Sequence, residues 1–412
     1  MKTASIISIG NELLSGQTLD TNAKYLTSQL LSLSIPTVSI YTAADSLDKI
    51  IRTLSLAAED ADIIIVTGGL GPTDDDLTRY GLAKFLKTEL LLQQDLLDKI
   101  QAYFTSRGLE MTENNKRQAC IPKNSAALLN NLGTAPGILV HHNEKIIASL
   151  PGVPSEMKQM FQDCVAPILK EFSKEQTILI KKLNCFGAGE SRIAQALGSL
   201  LGRDRNPLIN ITVHFGRITL TINATADNQN DAQKLLDADV KQICNKLGTL
   251  VFSEDDTTLS QTMGRLLTQQ NKTLATAESC TAGLLGKLIT DSAGSSTYFK
   301  QGWITYSNES KTQLLNVPAE LIEKHGSVSR QVAEAMAVNA RKIAEVDYAI
   351  AITGIAGPTG GTADKPVGLV YISLASANEA ITEKFVFSHD RSFIRARSAQ
   401  TALNILRLKL IS

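Results

Sequence analysis

Short apolar runs alternate with amphipathic stretches along most of the chain. Residues 3–9, 38–41 and 63–66 are apolar runs of buried-strand length, and the segments between them, 20–33 and 46–59, carry leucine and isoleucine at helical spacing behind Asp or Ser caps. Strand, helix, strand in that order predicts a parallel sheet, with chemistry at the carboxyl ends of its strands. Residues 138–141 and 145–150 read as a hairpin across His142-Asn143, and 155–172 as the helix closing a first domain, 1–172. A polar linker at 172–176 follows. A strand at 177–186, a helix at 190–201, a hairpin of 209–214 with 217–224 around Gly216, and a helix at 231–247 make a small α/β module over 177–252. The third pattern, 257–412, opens with a helix at 258–269 and a strand at 273–277. It continues through a helix bearing Leu284, Leu285, Leu288 and Ile289, a strand at 302–306, a helix behind Ser307 or Asn308, and a helix from Ser329 to Ala344. Strands at 348–352, 367–374 and 384–387 and a terminal helix from Asp390-Arg391 complete it. The fold class is α/β throughout.

Composition narrows the partners. At 412 residues the chain suits two or three domains, and 41 basic against 41 acidic side chains leave no basic field for a polynucleotide. Cys120, Cys164, Cys185, Cys244 and Cys280 are odd in number and lack CxxC spacing, so neither a disulfide framework nor a zinc cluster is expected. No apolar run approaches membrane-spanning length and no leader pattern opens the chain, so a cytoplasmic protein without a membrane partner is expected.

The candidate chemistry concentrates between Glu278 and Lys311. Ser279 falls at a strand-to-helix turn, where free backbone N–H groups and the helix dipole favour an alkoxide or a nearby oxyanion. Lys311 falls in the first turn of the next helix, where a cation is disfavoured and its pKa pushed down, as a general base requires. The dipole is insufficient alone: a lysine near about 10.4 must fall by roughly three units, about 4 kcal/mol, to be largely neutral at pH 7, so burial has to supply the rest. Tyr306 is placed to orient the lysine or relay its proton, and Ser–Lys pairs are an established variant of triad chemistry. Each residue also has a plain structural account: Ser279 as a helix cap, Tyr306 as a packed strand end, Lys311 as a solvated charge. Amides of the 354–361 loop, with Gly354 and Gly357, or of Gly294-Ser295-Ser296, are candidates for a phosphate site or an oxyanion hole. Thr281 is a further candidate substrate contact. Arg391 and Arg395 offer a cation for phosphate, or simply lie on a solvated helix.

In the first domain two loops project from strand ends: Gly10-Asn11-Glu12 with Gly16, and residues 67–76 with Gly68, Gly69 and Gly71. Glycines there let backbone N–H groups approach a phosphate, and Asp75 or Asp76, with Glu12, could hold a divalent cation against it. A tight turn with ordinary helix-start acids fits the same residues, and no Gly-Lys-Ser/Thr makes this a Walker A loop. Asn114 and Arg117 share a helical face that could reach a diphosphate.

Several of these stretches resemble a known family. Glu278-Ser-Cys-Thr-Ala-Gly283, Thr305-Tyr-Ser-Asn-Glu-Ser-Lys311, His325-Gly-Ser-Val-Ser329 and residues 353–361 resemble the carboxyl-terminal domain of the CinA family, the nicotinamide-nucleotide amidohydrolases. The resemblance implies deamidation of nicotinamide mononucleotide (NMN) without a cofactor, and places the family's catalytic serine, tyrosine and lysine on Ser279, Tyr306 and Lys311. Residues 10–16, 20–22, 68–78 and 150–156 resemble the amino-terminal CinA domain, related to the molybdopterin-binding fold, which implies metal-dependent hydrolysis of ADP-ribose. Relatives usually carry Asp where this chain has Asn11, and Asp76 aligns with their metal-proximal acid. The family also carries a KH-type module in the middle. A nucleic-acid-binding KH domain needs a basic-flanked GxxG loop, whereas Gly187-Ala-Gly189-Glu190 has other spacing and an acid, so a spacer or dimer contact is the expectation. The combined expectation is a bifunctional nucleotide hydrolase, homodimeric on the general prevalence of twofold pairs. Two other readings stay open: a pterin-binding or pterin-adenylylating protein, and a non-catalytic partner in DNA uptake or repair.

Overall fold

A computed structural model of the chain describes residues 2–172 and 177–412; the linker expected at 172–176 falls largely outside them. The chain divides into two compact units, 1–179 with 224–234, and 180–223 with 235–412.

The first unit is built on a six-stranded sheet in the order Thr37–Ala43, Ala4–Ile9, Ile63–Thr67, Lys145–Leu150, Gly137–His142, Ala126–Leu128. The first four run parallel, as the βαβ alternation predicts, and the last two are added through successive antiparallel pairings. All residues of Ala4–Ile9 and Ile63–Thr67 are buried because both sheet faces are covered, which is why these strands read as continuous apolar runs. Ile6 and Ile65 face one core with Leu26 and Leu30; Ile7 and Val66 face the other with Ile50 and Leu54. Helix Thr21–Ser32 is capped by the Asp20 carboxylate, which accepts the Ala23 N–H at 2.9 Å.

The second unit holds two sheets. In the smaller, the order is Leu208–His214, Arg217–Ala226, Thr177–Cys185, Val251–Ser253. Its hairpin turns at Phe215 (φ 46°) and Gly216 (φ 78°), the paired positive φ angles of a two-residue turn that follows strand twist. The larger sheet runs Phe299–Ile304, Leu274–Glu278, Tyr348–Gly354, Leu369–Ala375, Ala380–Val386, the first three parallel and the rest antiparallel. Phe186 and Phe252 of the small module belong to the same core as Leu259, Met263 and Leu403, so packing joins two segments that sequence pattern separates.

Helix starts follow their caps. Thr258 forms a reciprocal capping box with Gln261, Ser329 accepts the Val332 N–H, and Asp390 accepts the Phe393 N–H at 2.8 Å, opening the terminal helix Arg391–Ile411. Among the described residues no helix is long and apolar enough to cross a membrane.

Gly68 follows the strand Ile63–Thr67 with φ 101°, donates its N–H to Leu150 at 3.0 Å, and leaves no room for a Cβ against the Ile9 carbonyl oxygen. Gly68→Ala combines backbone strain with a clash, and is expected to cost the first unit about 2–4 kcal/mol, read by calorimetry as a lowered endotherm for that unit. An unshifted endotherm would contradict this account of the loop.

Candidate active site

Leu274–Glu278 is buried along its whole length between two parallel neighbours, and the chain leaves it at Glu278. Glu278 is 2% exposed, and its carboxylate accepts the N–H groups of Leu285 (3.0 Å) and Gly286 (2.8 Å), capping the short helix Leu284–Thr290. The amides expected to face Ser279 are therefore satisfied by Glu278. Ser279 lies instead in the turn before the helix, where Ala282 (φ 47°) and Gly283 (φ 87°) reverse the chain in the left-handed region. An acid ending an otherwise apolar strand was the sequence signal for this cap.

Ser279 donates its N–H to Ile352 O at 2.9 Å, and its Oγ accepts from Lys311 Nζ at 3.2 Å. Lys311 is 1% exposed. It also donates to the carbonyls of Thr305 (2.9 Å), Tyr306 (3.4 Å) and Ser307 (3.4 Å), and belongs to helix Asn308–Leu315, capped by Ser307. Burial lowers its pKa, with Cys280 and Glu309 opposing. Cys280, next to the serine, is buried with its thiol pushed up to about 12, which removes it as a competing nucleophile.

Tyr306 departs from its expected role. Ile304 and Tyr306 point outward and Thr305 inward, by the alternation of extended chain, so the tyrosine is 59% exposed. Its hydroxyl accepts from Arg391 at 3.2 Å, and only its backbone carbonyl reaches Lys311. Arg391 also donates to Gly357 O at 2.8 Å, and Arg395 donates to Thr281 O at 2.7 Å. These arginines are anchored to loops around Ser279 rather than solvated along a helix. The Thr281 and Thr305 hydroxyls are buried beside the pair without a partner.

Gly354 ends its strand at the same sheet edge as Ser279, and the loop beyond it is tied back by Lys365, which donates to His325 O at 2.7 Å. Gly294 and Ser295 do not join them. They precede Phe299, which pairs with Leu274 at the amino end of the sheet, while Ser279 follows Glu278 at the carboxyl end, so the strand's length of roughly 16 Å separates the two.

In the first unit, Gly68, Gly69, Gly71, Glu12, Asp75 and Asp76 line one cleft of about 440 Å³. Asp45 in the same cleft accepts the Asn11 N–H at 2.8 Å, and its pKa is raised by burial and by Glu12, Asp75 and Asp76. The Asp76 carboxylate is turned into its own loop, accepting from Gly71 N (2.8 Å), Thr73 N (2.8 Å) and Thr73 Oγ1. Glu12 folds over Gly10. Among the described residues no three His, Cys, Asp or Glu side chains are grouped closely enough to form a metal cage, while Glu12, Asp45, Asp75, Asp76 and Glu156 line the same cleft. Arg117 is held by Asp74 (2.8 Å) and Thr73 O, and Asn114 is exposed. Gln118, not Asn114, reaches the cleft, because the Glu113–Ala119 turn is a 3₁₀ helix and eclipses different positions from an α-helix.

Comparison with known proteins covers most of the chain. Residues 5–171 match the family described as a probable molybdopterin binding domain, 180–253 the damage-inducible protein CinA KH domain, and 256–410 the CinA C-terminal domain. A competence-damage inducible protein of Caldicellulosiruptor saccharolyticus is 41% identical over 99% of both chains, and a CinA-like protein of Dictyoglomus thermophilum is 39% identical, also over 99% of both. Among solved structures, CinA from Thermoplasma acidophilum is 34% identical over 40% of this chain and 98% of its own, with a TM-score of 0.39. A competence/damage inducible protein from Agrobacterium tumefaciens is 37% identical over 37% and 94%, with a TM-score of 0.37. With relatives near 40% identity aligned from end to end and three successive domains matched, the chain belongs to the CinA family of competence/damage-inducible proteins.

Proposed function

We propose that this protein is a bifunctional nucleotide hydrolase whose carboxyl-terminal domain deamidates NMN to nicotinate mononucleotide and ammonia. The observation that carries the reading is a buried lysine of lowered pKa, 3.2 Å from a buried serine hydroxyl at the carboxyl end of a parallel strand. Ser279 Oγ attacks the carboxamide carbon while its proton passes to Lys311 Nζ. The C–N bond then breaks, Lys311 returns the proton to the departing nitrogen as ammonia, and an ester to Ser279 remains. Water adds to that ester with Lys311 again taking the proton, and the C–O bond to Ser279 breaks with the proton restored to the serine. Among the described residues the backbone N–H groups of Cys280 and Thr281 have no backbone acceptor, and they lie in the turn directly after Ser279, the position from which an oxyanion is commonly stabilised. Tyr306 and Arg391, exposed together at the mouth, suit the ribose phosphate rather than the proton transfer.

For the amino-terminal domain we propose hydrolysis of ADP-ribose to AMP and ribose 5-phosphate in the cleft beside Gly68, Gly69 and Gly71. The glycine loop supports a diphosphate ligand, and Glu12, Asp75 and Asp76 in the same cleft are the residues that would hold a divalent cation, which would offset the charge of the diphosphate when bound. Asp76 acts by shaping the loop, so Asp76→Asn, which leaves an acceptor for only part of its three donors, is expected to lower AMP release about tenfold or more while ammonia release is unchanged. Pterin binding without AMP release would favour the pterin reading.

Wild-type protein is expected to release ammonia from NMN and a folded Ser279→Ala variant to release none above background. Activity surviving in Ser279→Ala would remove the nucleophile assignment. Lys311→Met preserves buried volume without the base, and a loss in kcat of about 10³-fold is expected with the fold intact by circular dichroism. Because the neutral amine is the active form, kcat/KM should rise with pH as Lys311 deprotonates, with a midpoint below the ordinary lysine value. A rate that falls across that range would oppose the assignment.

A further inference from the structure

The small module carries no GxxG loop, yet its hairpin tip is pressed against the terminal helix Arg391–Ile411. Gly216 at the tip lies directly on the Arg397 guanidinium and leaves no space for a Cβ. The same guanidinium stacks 4.3 Å from the ring centroid of Phe186, a buried residue of the module. Phe215, beside Gly216, packs on Phe393 with centroids 6.0 Å apart, and His389 closes on Phe393 from the other side at 4.6 Å. Nearly three turns beyond Arg397, Arg407 donates to Thr249 O of the module at 2.6 Å.

Helix geometry gives these contacts their meaning. Phe393 and Arg397 are an i,i+4 pair and share a face, as do Arg391 and Arg395. Two residues of offset turn one pair from the other by roughly 200°, so the pairs occupy opposite faces of the same two turns. One face touches the module; the other holds Gly357 O, the Tyr306 hydroxyl and Thr281 O. The helix is therefore clamped between the hairpin tip and the loops that surround Ser279. Beside the tip a cavity of about 410 Å³ is lined by His214 and Phe215 of the hairpin, Leu284 and Leu288, and Ala396 of the terminal helix.

We infer that the KH-type module is a structural part of the amidohydrolase site, its Phe215-Gly216 tip bracing the terminal helix so that Arg391 and Arg395 hold the substrate loops in place. Phe215, Phe393 and Arg397 are positioning residues: none touches the reacting atoms, and they act through the two arginines. This rests on the NMN reading for its kinetic consequence, not for its mechanical one. In such an arrangement, loosening the tip weakens substrate binding more than the chemical step, because the Ser279–Lys311 pair is held by strand ends and carbonyls away from the terminal helix.

The test uses the full chain with Phe215→Ala, Phe393→Ala and the double variant. Each single change is expected to raise KM for NMN about fivefold with kcat within about twofold, and the double variant to cost no more than the larger single effect, since both rings serve one contact. Amide hydrogen exchange is read in parallel. Residues 281–283, whose first carbonyl Arg395 holds, and 355–361 should exchange faster in each variant, with strand Arg217–Ala226 as protected as in wild type. Unchanged exchange in both loops, or additive effects on KM, overturns the inference. If wild type releases no ammonia but the loops still respond, the NMN reading falls and the brace stands. If Phe215→Ala melts the hairpin, Arg397→Met, which keeps bulk beside Phe186 and removes the guanidinium under Gly216, decides by the same two loops.

Discussion

The buried amine of Lys311 is the constraint on which the carboxyl-terminal site depends. A lysine inside a protein is tolerated only if its polar hydrogens are met or its charge is given up, and this one has both conditions in part. Three carbonyls from consecutive residues, Thr305, Tyr306 and Ser307, converge on Nζ because the chain bends there from an edge strand into a capped helix. The remaining direction is occupied by Ser279 Oγ. Moving the lysine to the surface would satisfy it equally well and abolish the pair, so the bend at 305–307 is what turns an ordinary cation into a candidate base.

The serine is held by a different device. The Glu278 carboxylate accepts from two helix amides, so the helix after the turn is anchored through the residue that precedes Ser279. The Ser279 N–H is fixed on the neighbouring strand at Ile352. Both members of the pair are thereby referred to the same three parallel strands, with the 355–361 loop and the terminal helix arranged around them. The amino-terminal cleft is organised otherwise: its acids serve the loop itself, Asp76 binding Thr73 and Gly71, and Asp45 binding Asn11. Acidic residues that look like ligands in sequence can thus be loop architecture, since a carboxylate has several acceptor sites and backbone amides compete for them.

The strands, their order of appearance and most helix starts were legible along the chain, because they depend on local rules. Continuous apolar runs marked 4–9 and 63–67, Asp20, Thr258, Ser307, Ser329 and Asp390 marked helix starts, and Gly216 marked the hairpin turn. The residues Ser279 and Lys311 could also be named, 32 positions apart, since a strand-turn-helix repeat brings successive carboxyl ends to one sheet edge.

What only the tertiary structure decided is which neighbours each named residue has. Tyr306 turned to Arg391 instead of Lys311 because extended chain alternates its side chains across the edge. Gly294-Ser295 fell away from the site because a parallel strand separates its two ends by its whole length. Asn114 lost its place to Gln118 because the turn there is 3₁₀. The arginines at 391 and 395 gained partners, and the KH-type module gained a neighbour in the terminal helix, through contacts between segments at least 34 residues apart. Sequence fixes what a residue can donate, accept or bury, and the local path of its backbone; the long-range partner that completes a site depends on which faces pack together, and that is a property of the folded whole.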